Sequence, residues 1–203
     1  LRLSTASSNT AVGSEALTAD TTGQQNVAVG NYALTSVTTG LKNSAVGYGA
    51  GGSTAVTTSN CAFLGYNSIP SSSSASNEIT LGDSSIATLR CQVQSISALS
   101  DRRDKKDIKE LPVGLDFIND LKPVKFVWDM RDGAKKGIQE AGFVAQDLDE
   151  SQINADAEDY LNLVLKNNPD KLEASYGKLV PILVKAVQEL SAEVNHLKEK
   201  LST

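Results

Sequence analysis

Along the first seventy residues the apolar positions fall in short clusters at a fixed spacing, separated by long polar stretches. The clusters read Asn9-Thr-Ala-Val-Gly13, Asn26-Val-Ala-Val-Gly30 and Asn43-Ser-Ala-Val-Gly47, with the asparagines 17 residues apart. A fourth copy, Asn60-Cys-Ala-Phe-Leu-Gly65, keeps Asn60 in step and has one extra residue. Threonine pairs at 21–22, 38–39 and 57–58 recur at nearly the same period. So short an apolar run cannot make a helix, and its β-branched residue suits a strand. The glycine permits a tight turn, and the polar Thr-Thr-Gly stretch supplies the return. One such unit cannot bury its apolar face alone, whereas stacked units share a continuous core. The pattern predicts a parallel β-roll or β-solenoid. Its few large side chains predict a thin one that completes its core against identical chains. Ser71–Ser76 is of low complexity and reads as a linker or loop. Asn77–Leu99, with Ile79, Leu81, Leu89, Cys91 and Val93 alternating, reads as further strands.

Past residue 100 the pattern changes. Val127 and Trp128, after Pro123, predict a strand whose aromatic packs on a domain core, and Gly142-Phe-Val-Ala-Gln146 predicts a buried strand. Residues 156–168, with Tyr160 and Leu161, read as a short helix or an irregular segment. From Leu183 the apolar positions step by four and three through Val187, Leu190, Val194, Leu197 and Leu201, an a/d seam with valine at a and leucine at d. Glu193 and Lys198 fall at g and the following e, where they would pair between chains. The seam predicts an interchain coiled coil; the alternative is an amphipathic helix packed on its own domain. Valine at a with leucine at d favours a dimer when taken alone.

Composition sharpens the division. Only seven of the charged residues lie in residues 1–99, and the other 36 lie in 100–203, which places a domain boundary near residue 100. The net charge of −5 gives no reason to expect nucleic acid or an anionic membrane as partner. No apolar run approaches the roughly 20 residues that cross a bilayer. The chain opens on Leu1 without a leader and is expected to be a piece of a longer one. Cys61 and Cys91 are too few for a zinc site or a disulfide framework and read as small buried thiols. No metal or cofactor is expected.

Candidate chemistry gathers at the boundary, Ser100-Asp-Arg-Arg-Asp-Lys105-Lys106-Asp-Ile108. A serine nucleophile needs a base. The sole histidine, His196, lies far off on the terminal helix, so a Ser-His-Asp triad within one chain is not expected. A Ser–Lys dyad remains open, with Lys105 and Lys106 as the near candidates. A lysine base requires its pKa to fall from about 10.4 to about 7–8, through burial and neighbouring positive charge such as Arg102 and Arg103. The same spacing also fits an ordinary solvated stretch that opens a domain.

The Asn-x-Ala-Val-Gly units over residues 9–68 resemble the head repeats of trimeric autotransporter adhesins, which coil into a β-roll shared by three chains. Ser100-Asp101-x-Arg103-x-Lys105-x-x-Ile108 resembles the opening of the intramolecular chaperone auto-processing domains that end bacteriophage tail spikes and fibres, such as endosialidases, and that occur in a eukaryotic membrane-bound transcription factor. Leu121-Lys-Pro-Val-Lys-Phe-Val-Trp128, Ala141-Gly-Phe-Val-Ala-Gln-Asp147 and the C-terminal coiled-coil helix follow in the family's order. The resemblance implies a fibre shaft over 1–99 and an α+β chaperone over 100–203 that forms a homotrimer, templates the shaft and releases itself. Ser100 would be the nucleophile, Lys105 its general base and Leu99–Ser100 the scissile bond, in a single-turnover reaction in cis. Two positions depart from the family: Leu99 stands where endosialidases have histidine, and Asp104 where leucine is frequent. A fibre of this kind belongs to a virion, where it would meet a host-surface receptor or glycan, and the chaperone would be released in the host cell during assembly. The alternatives are a non-cleaving trimeric adhesin or fibre with a permanent clamp, and a glycan-degrading spike. With only four acids in residues 1–99, the latter activity would lie upstream.

Overall fold

A computed structural model of the chain describes residues 6–52, 56–93 and 95–202. Two compact units form: one runs through Leu89 and includes Met130–Lys135, and the other holds Arg90–Asp129 and the chain from Lys136 onward.

The first unit is a β-solenoid. Its strands β1 (Thr10–Val12), β2 (Val27–Val29), β3 (Ser44–Val46), β4 (Ala62–Leu64) and β5 (Ile79–Leu81) stack in parallel and in sequence order. The register sets Ala11, Ala28, Ala45, Phe63 and Thr80 in one column and Val12, Val29, Val46, Leu64 and Leu81 in the next. Period-2 alternation turns the first column inward, with Ala28 and Ala45 fully buried, and the second outward, 37–58% exposed. Glycine follows each strand, and between successive turns the backbones nearly touch there: a Cβ on Gly30 (φ 138°) would run into the Gly47 carbonyl oxygen. In the fourth turn Phe63 replaces alanine at the inward position. The space is recovered at Gly51, where a Cβ would lie 2.7 Å from the Phe63 ring and 2.5 Å from Leu34.

Beside the strands runs a ladder of buried amides. Asn26 N donates to Asn9 Oδ1, Asn43 N to Asn26 Oδ1, and Cys61 N to Asn43 Oδ1. Each side-chain amide also donates to a backbone carbonyl of the return segment: Asn9 to Gly23, Asn26 to Gly40 and Asn43 to Thr58. The fourth rung of this ladder is therefore Cys61. Asn60, in step by sequence, lies outside it, exposed and bonded to Asn77. Cys61 keeps a weak version of the contact, its Sγ 3.6 Å from the Ala75 carbonyl. Asp20 is buried and accepts from Asn9 Nδ2 and Gly23 N, and burial pushes its carboxyl above the ordinary range.

One expectation is narrowed here and two are corrected. Ser71–Ser76, expected as a linker or loop, is a loop that forms the solenoid's last return, with Ala75 buried and Ser76 bridged to Ser59. Ile79 and Leu81 do form β5, but Leu89, Cys91 and Val93 lie exposed outside any strand, because alternation without a neighbouring strand closes no ladder. Cys91 is accordingly an exposed thiol, whereas Cys61 is buried.

The second unit is mixed. Its elements are α1 (Leu115–Asp120), a hairpin of β6 (Val124–Asp129) with β7 (Lys136–Gly142), α2 (Ala145–Asn154), α3 (Glu158–Leu161), a short pair of β8 (Val164–Leu165) with β9 (Glu173–Ala174), and α4 (Leu179–Leu201). Val113, Phe117, Leu148, Ala157, Leu161, Leu163, Val164, Leu179 and Ile182 form its core. Two polar side chains tie loops to helices within it. Gln152, fully buried on α2, accepts from Leu163 N, and Glu189 of α4 accepts from Leu115 N at 2.7 Å, satisfying the start of α1. Trp128 is not in that core: it sits on the hairpin, edge-on to Phe126, with Nε1 donating to Glu140. Gly142–Gln146 is not a buried strand either. β7 ends at Gly142, Phe143 packs on the core and on Tyr176, and Gln146 is exposed in the first turn of α2. The motif spans a strand-to-helix junction, which an apolar run by itself does not reveal.

Candidate functional site

A short local fold joins the two residues singled out for chemistry. Asp101 is extended (φ −66°, ψ 137°), and its Oδ1 accepts from Arg103 N at 2.8 Å, capping the 3₁₀ turn Arg102–Asp104. The Arg103 guanidinium closes onto the same carboxylate, with Nη2 2.6 Å from Oδ2 and Nε 3.1 Å from Oδ1. That pairing holds the Asp101 carboxyl below its ordinary range. The turn closes with Lys105 N donating to Arg102 O at 3.2 Å, and Lys105 then leaves in extended conformation. Its side chain folds back over the turn, so that Nζ donates to Ser100 Oγ at 2.5 Å and to Ser100 O at 3.3 Å.

Ser100 and Lys105 thus stand in direct contact, as general-base chemistry requires. With the amine neutral, the same contact reverses polarity and the serine hydroxyl becomes the donor. Leu99, Ser100 and Lys105 are all exposed, Leu99 almost completely. The burial a lysine base needs is therefore not supplied by this chain's own residues. His196 is exposed on α4. Among the described residues, no cluster of three His, Cys, Asp or Glu is placed to hold a metal, and no helix is long and apolar enough to cross a membrane.

The a/d residues lie on one long helix. α4 turns Leu179, Ile182 and Ala186 into its own domain, while Leu183, Val187, Leu190, Val194, Leu197 and Leu201 remain 40–89% exposed. Glu193 and Lys198 flank that stripe, also exposed.

Residues 100–157 match the peptidase family described as chaperone of endosialidase. No curated protein matches the chain, and no solved structure does. The matched segment opens on Ser100 itself and takes in the capped turn, α1, the β6–β7 hairpin and α2. The matched family points to a phage tail-fibre context, with which a preceding β-solenoid is compatible. Asp101 and its pairing with Arg103 had no assigned role in the sequence reading, although an aspartate two residues before an amide it can cap is a recognisable turn signal.

Proposed function

We propose that this chain is the end of a phage tail fibre or spike. In this reading, residues 100–203 assemble a homotrimer, template the shaft of residues 1–99, and then release themselves by cutting Leu99–Ser100. The observation that carries it is the Lys105 Nζ contact with Ser100 Oγ, on the residue where the family match begins. Ser100 Oγ attacks the Leu99 carbonyl carbon while its proton passes to neutral Lys105. The Leu99–Ser100 C–N bond then breaks, and Lys105 returns the proton to the departing Ser100 amine. Leu99 is left as an ester on Ser100 Oγ. Water cleaves the ester, yielding the Leu99 carboxylate and restoring the hydroxyl.

Exposed apolar surface supports assembly. The α4 stripe and the outward column of valines and leucines would each be costly in a lone subunit, and each has the straight, regular form that an identical chain matches. Packing of neighbouring chains would also supply the cover that Lys105 lacks, so cutting would follow trimerisation. In the virion the shaft would present its surface to a host receptor or glycan. The released chaperone would stay in the cell. The uncovered dyad also fits a second reading, in which the domain is a permanent clamp.

Intact mass spectrometry of freshly folded chain tests the proposal. A break between Leu99 and Ser100, absent in Ser100→Ala and Lys105→Ala, is expected. A wild-type chain that stays whole under every folding condition leaves the clamp, and dilute refolded material that sediments as a single subunit defeats both.

A further inference from the structure

The geometry points to Asp101 as the positioning residue of the Ser100–Lys105 pair, acting through the turn it caps. This rests on the cleavage reading above. Residues 100 and 105 are five apart, and five residues of extended chain span about 17 Å, beyond the reach of a lysine side chain. Contact therefore exists only while the chain is folded into the turn between them. A single 3₁₀ turn does not hold itself, since it fixes several dihedrals for very few hydrogen bonds. Here both backbone bonds of the turn are long, at 3.2 Å from Asp104 N to Asp101 O and from Lys105 N to Arg102 O. None of its residues is buried, so no core holds it either. What remains is the Asp101 carboxylate, which takes the Arg103 amide on one side and the Arg103 guanidinium on the other. The amide contact shapes the backbone, and the guanidinium fork keeps the carboxylate turned toward that amide. Asp101 touches neither the serine hydroxyl nor the lysine amine in this arrangement, so its effect passes through the backbone.

The rate of appearance of the fragment beginning at Ser100, followed in the full chain, tests this. Asp101→Ala is expected to slow cutting about tenfold, the scale of a lost cap. Asp101→Asn keeps an acceptor for the Arg103 amide while losing the ion pair, and should stay within about threefold of wild type, because asparagine caps as well as aspartate. Arg103→Ala, which removes an exposed ion pair but leaves the cap, should also cost about threefold or less. In a Ser100→Ala background, Asp101→Ala should leave the thermal midpoint unchanged, since the turn lies outside the core. Asp101→Ala cutting at the wild-type rate, while Ser100→Ala stays whole, overturns the positioning role and leaves the cleavage reading standing. Equal slowing by Asn and Ala overturns the capping mechanism, and a lowered midpoint reassigns the loss to unfolding. A wild-type chain that never cuts removes the cleavage reading, and this role with it.

Discussion

The solenoid and the C-terminal domain bury polar groups in opposite ways. In the solenoid one device repeats: an asparagine receives the amide of the next rung and donates to the return segment, and rungs at Asn9, Asn26 and Asn43 do this alike. In the C-terminal domain each buried polar contact is singular, as where Gln152 of α2 receives Leu163 N and Glu189 of α4 receives Leu115 N, 74 residues away in sequence. The solenoid's inward strand column is mostly alanine, and its larger buried side chains, Leu17, Leu34, Val37 and Phe63, are spread along the turns. The C-terminal core is built of side chains such as Phe117, Leu148, Leu163 and Ile182, brought together from separate elements with no repeat. A periodic structure fails locally when a rung is lost. A heterogeneous core is expected to fail as a whole.

The largest effect that follows is in the second unit. Ile182→Ala, at a fully buried position between α4 and its own domain, should cost about 2–5 kcal/mol in a denaturant titration, the usual range for emptying a packed aliphatic site. Leu190→Ala, one turn or more beyond on the exposed stripe, should leave the same intradomain transition almost unchanged and instead weaken self-association, read by sedimentation. Equal losses at the two positions would mean the stripe is covered by its own chain. Next comes Asn43→Ala, which strips partners from the buried Cys61 amide and Thr58 carbonyl. At about 1–3 kcal/mol for leaving buried groups unpaired, the solenoid transition should shift clearly while the C-terminal one stays in place. Asn60→Gln, which keeps a side chain that holds the same left-handed position at Gln25 (φ 59° against 55°), should do almost nothing, and a loss there as large as at Asn43 would return Asn60 to the ladder.

That last pair shows where legibility ended. The solenoid and its parallel order follow from the 17-residue spacing, because each rung repeats the same local physics, but the spacing does not say that the alanines rather than the valines face inward. The spacing fails at the fourth rung: Thr21 N bonds to Thr38 O, 17 residues on, but Thr38 N bonds to Val56 O, 18 on. Backbone pairing counts every residue in the loop, so the ladder position passes to Cys61 although Asn60 matches by identity. Residues 71–76 were legible as a loop but not as a solenoid return, since a return segment needs only backbone bonds and can be built from almost any small residue. In the C-terminal domain the helix from Leu183 and its apolar stripe were readable from periodicity, whereas its second face, Leu179, Ile182 and Ala186, was not. The place of Trp128 was not, because whether a strand's aromatic meets a core depends on distant elements. Nor was the turn that folds Lys105 back readable from an apolar pattern, being held by exposed polar contacts alone.

Restoring the repeat sharpens the comparison from the other side. Cys61→Asn fills nearly the same volume and offers the Ala75 carbonyl, now 3.6 Å from Sγ, a stronger donor. A gain of about 0.5–1.5 kcal/mol in the solenoid transition is expected, the net value of a buried hydrogen bond. A loss would show that the fourth turn, already altered by Phe63 and Gly51, has been fitted around sulfur.

The smallest expected effect is a dependence on pH at the first rung. Asp20 is buried, with the neutral donors Asn9 Nδ2, Gly23 N and the Thr21 amide at its carboxylate, and desolvation, the largest influence, raises its pKa. The native chain therefore holds that proton more tightly than the unfolded chain, whose carboxyl titrates near about 3.9. Between the unfolded and the raised native value, native solenoid binds more protons, so its stability increases as pH falls through that window and is lost again as pH rises. Other carboxylates push the opposite way, so the quantity to follow is the difference in solenoid melting temperature between the wild type and Asp20→Asn, which keeps the shape without the titration. That difference should move in favour of wild type as the solution is acidified from neutrality toward about pH 4. A difference that stays flat would mean that folding leaves the Asp20 carboxyl's affinity for its proton unchanged, and one that moves the other way would mean that the first rung stabilises the carboxylate as an anion.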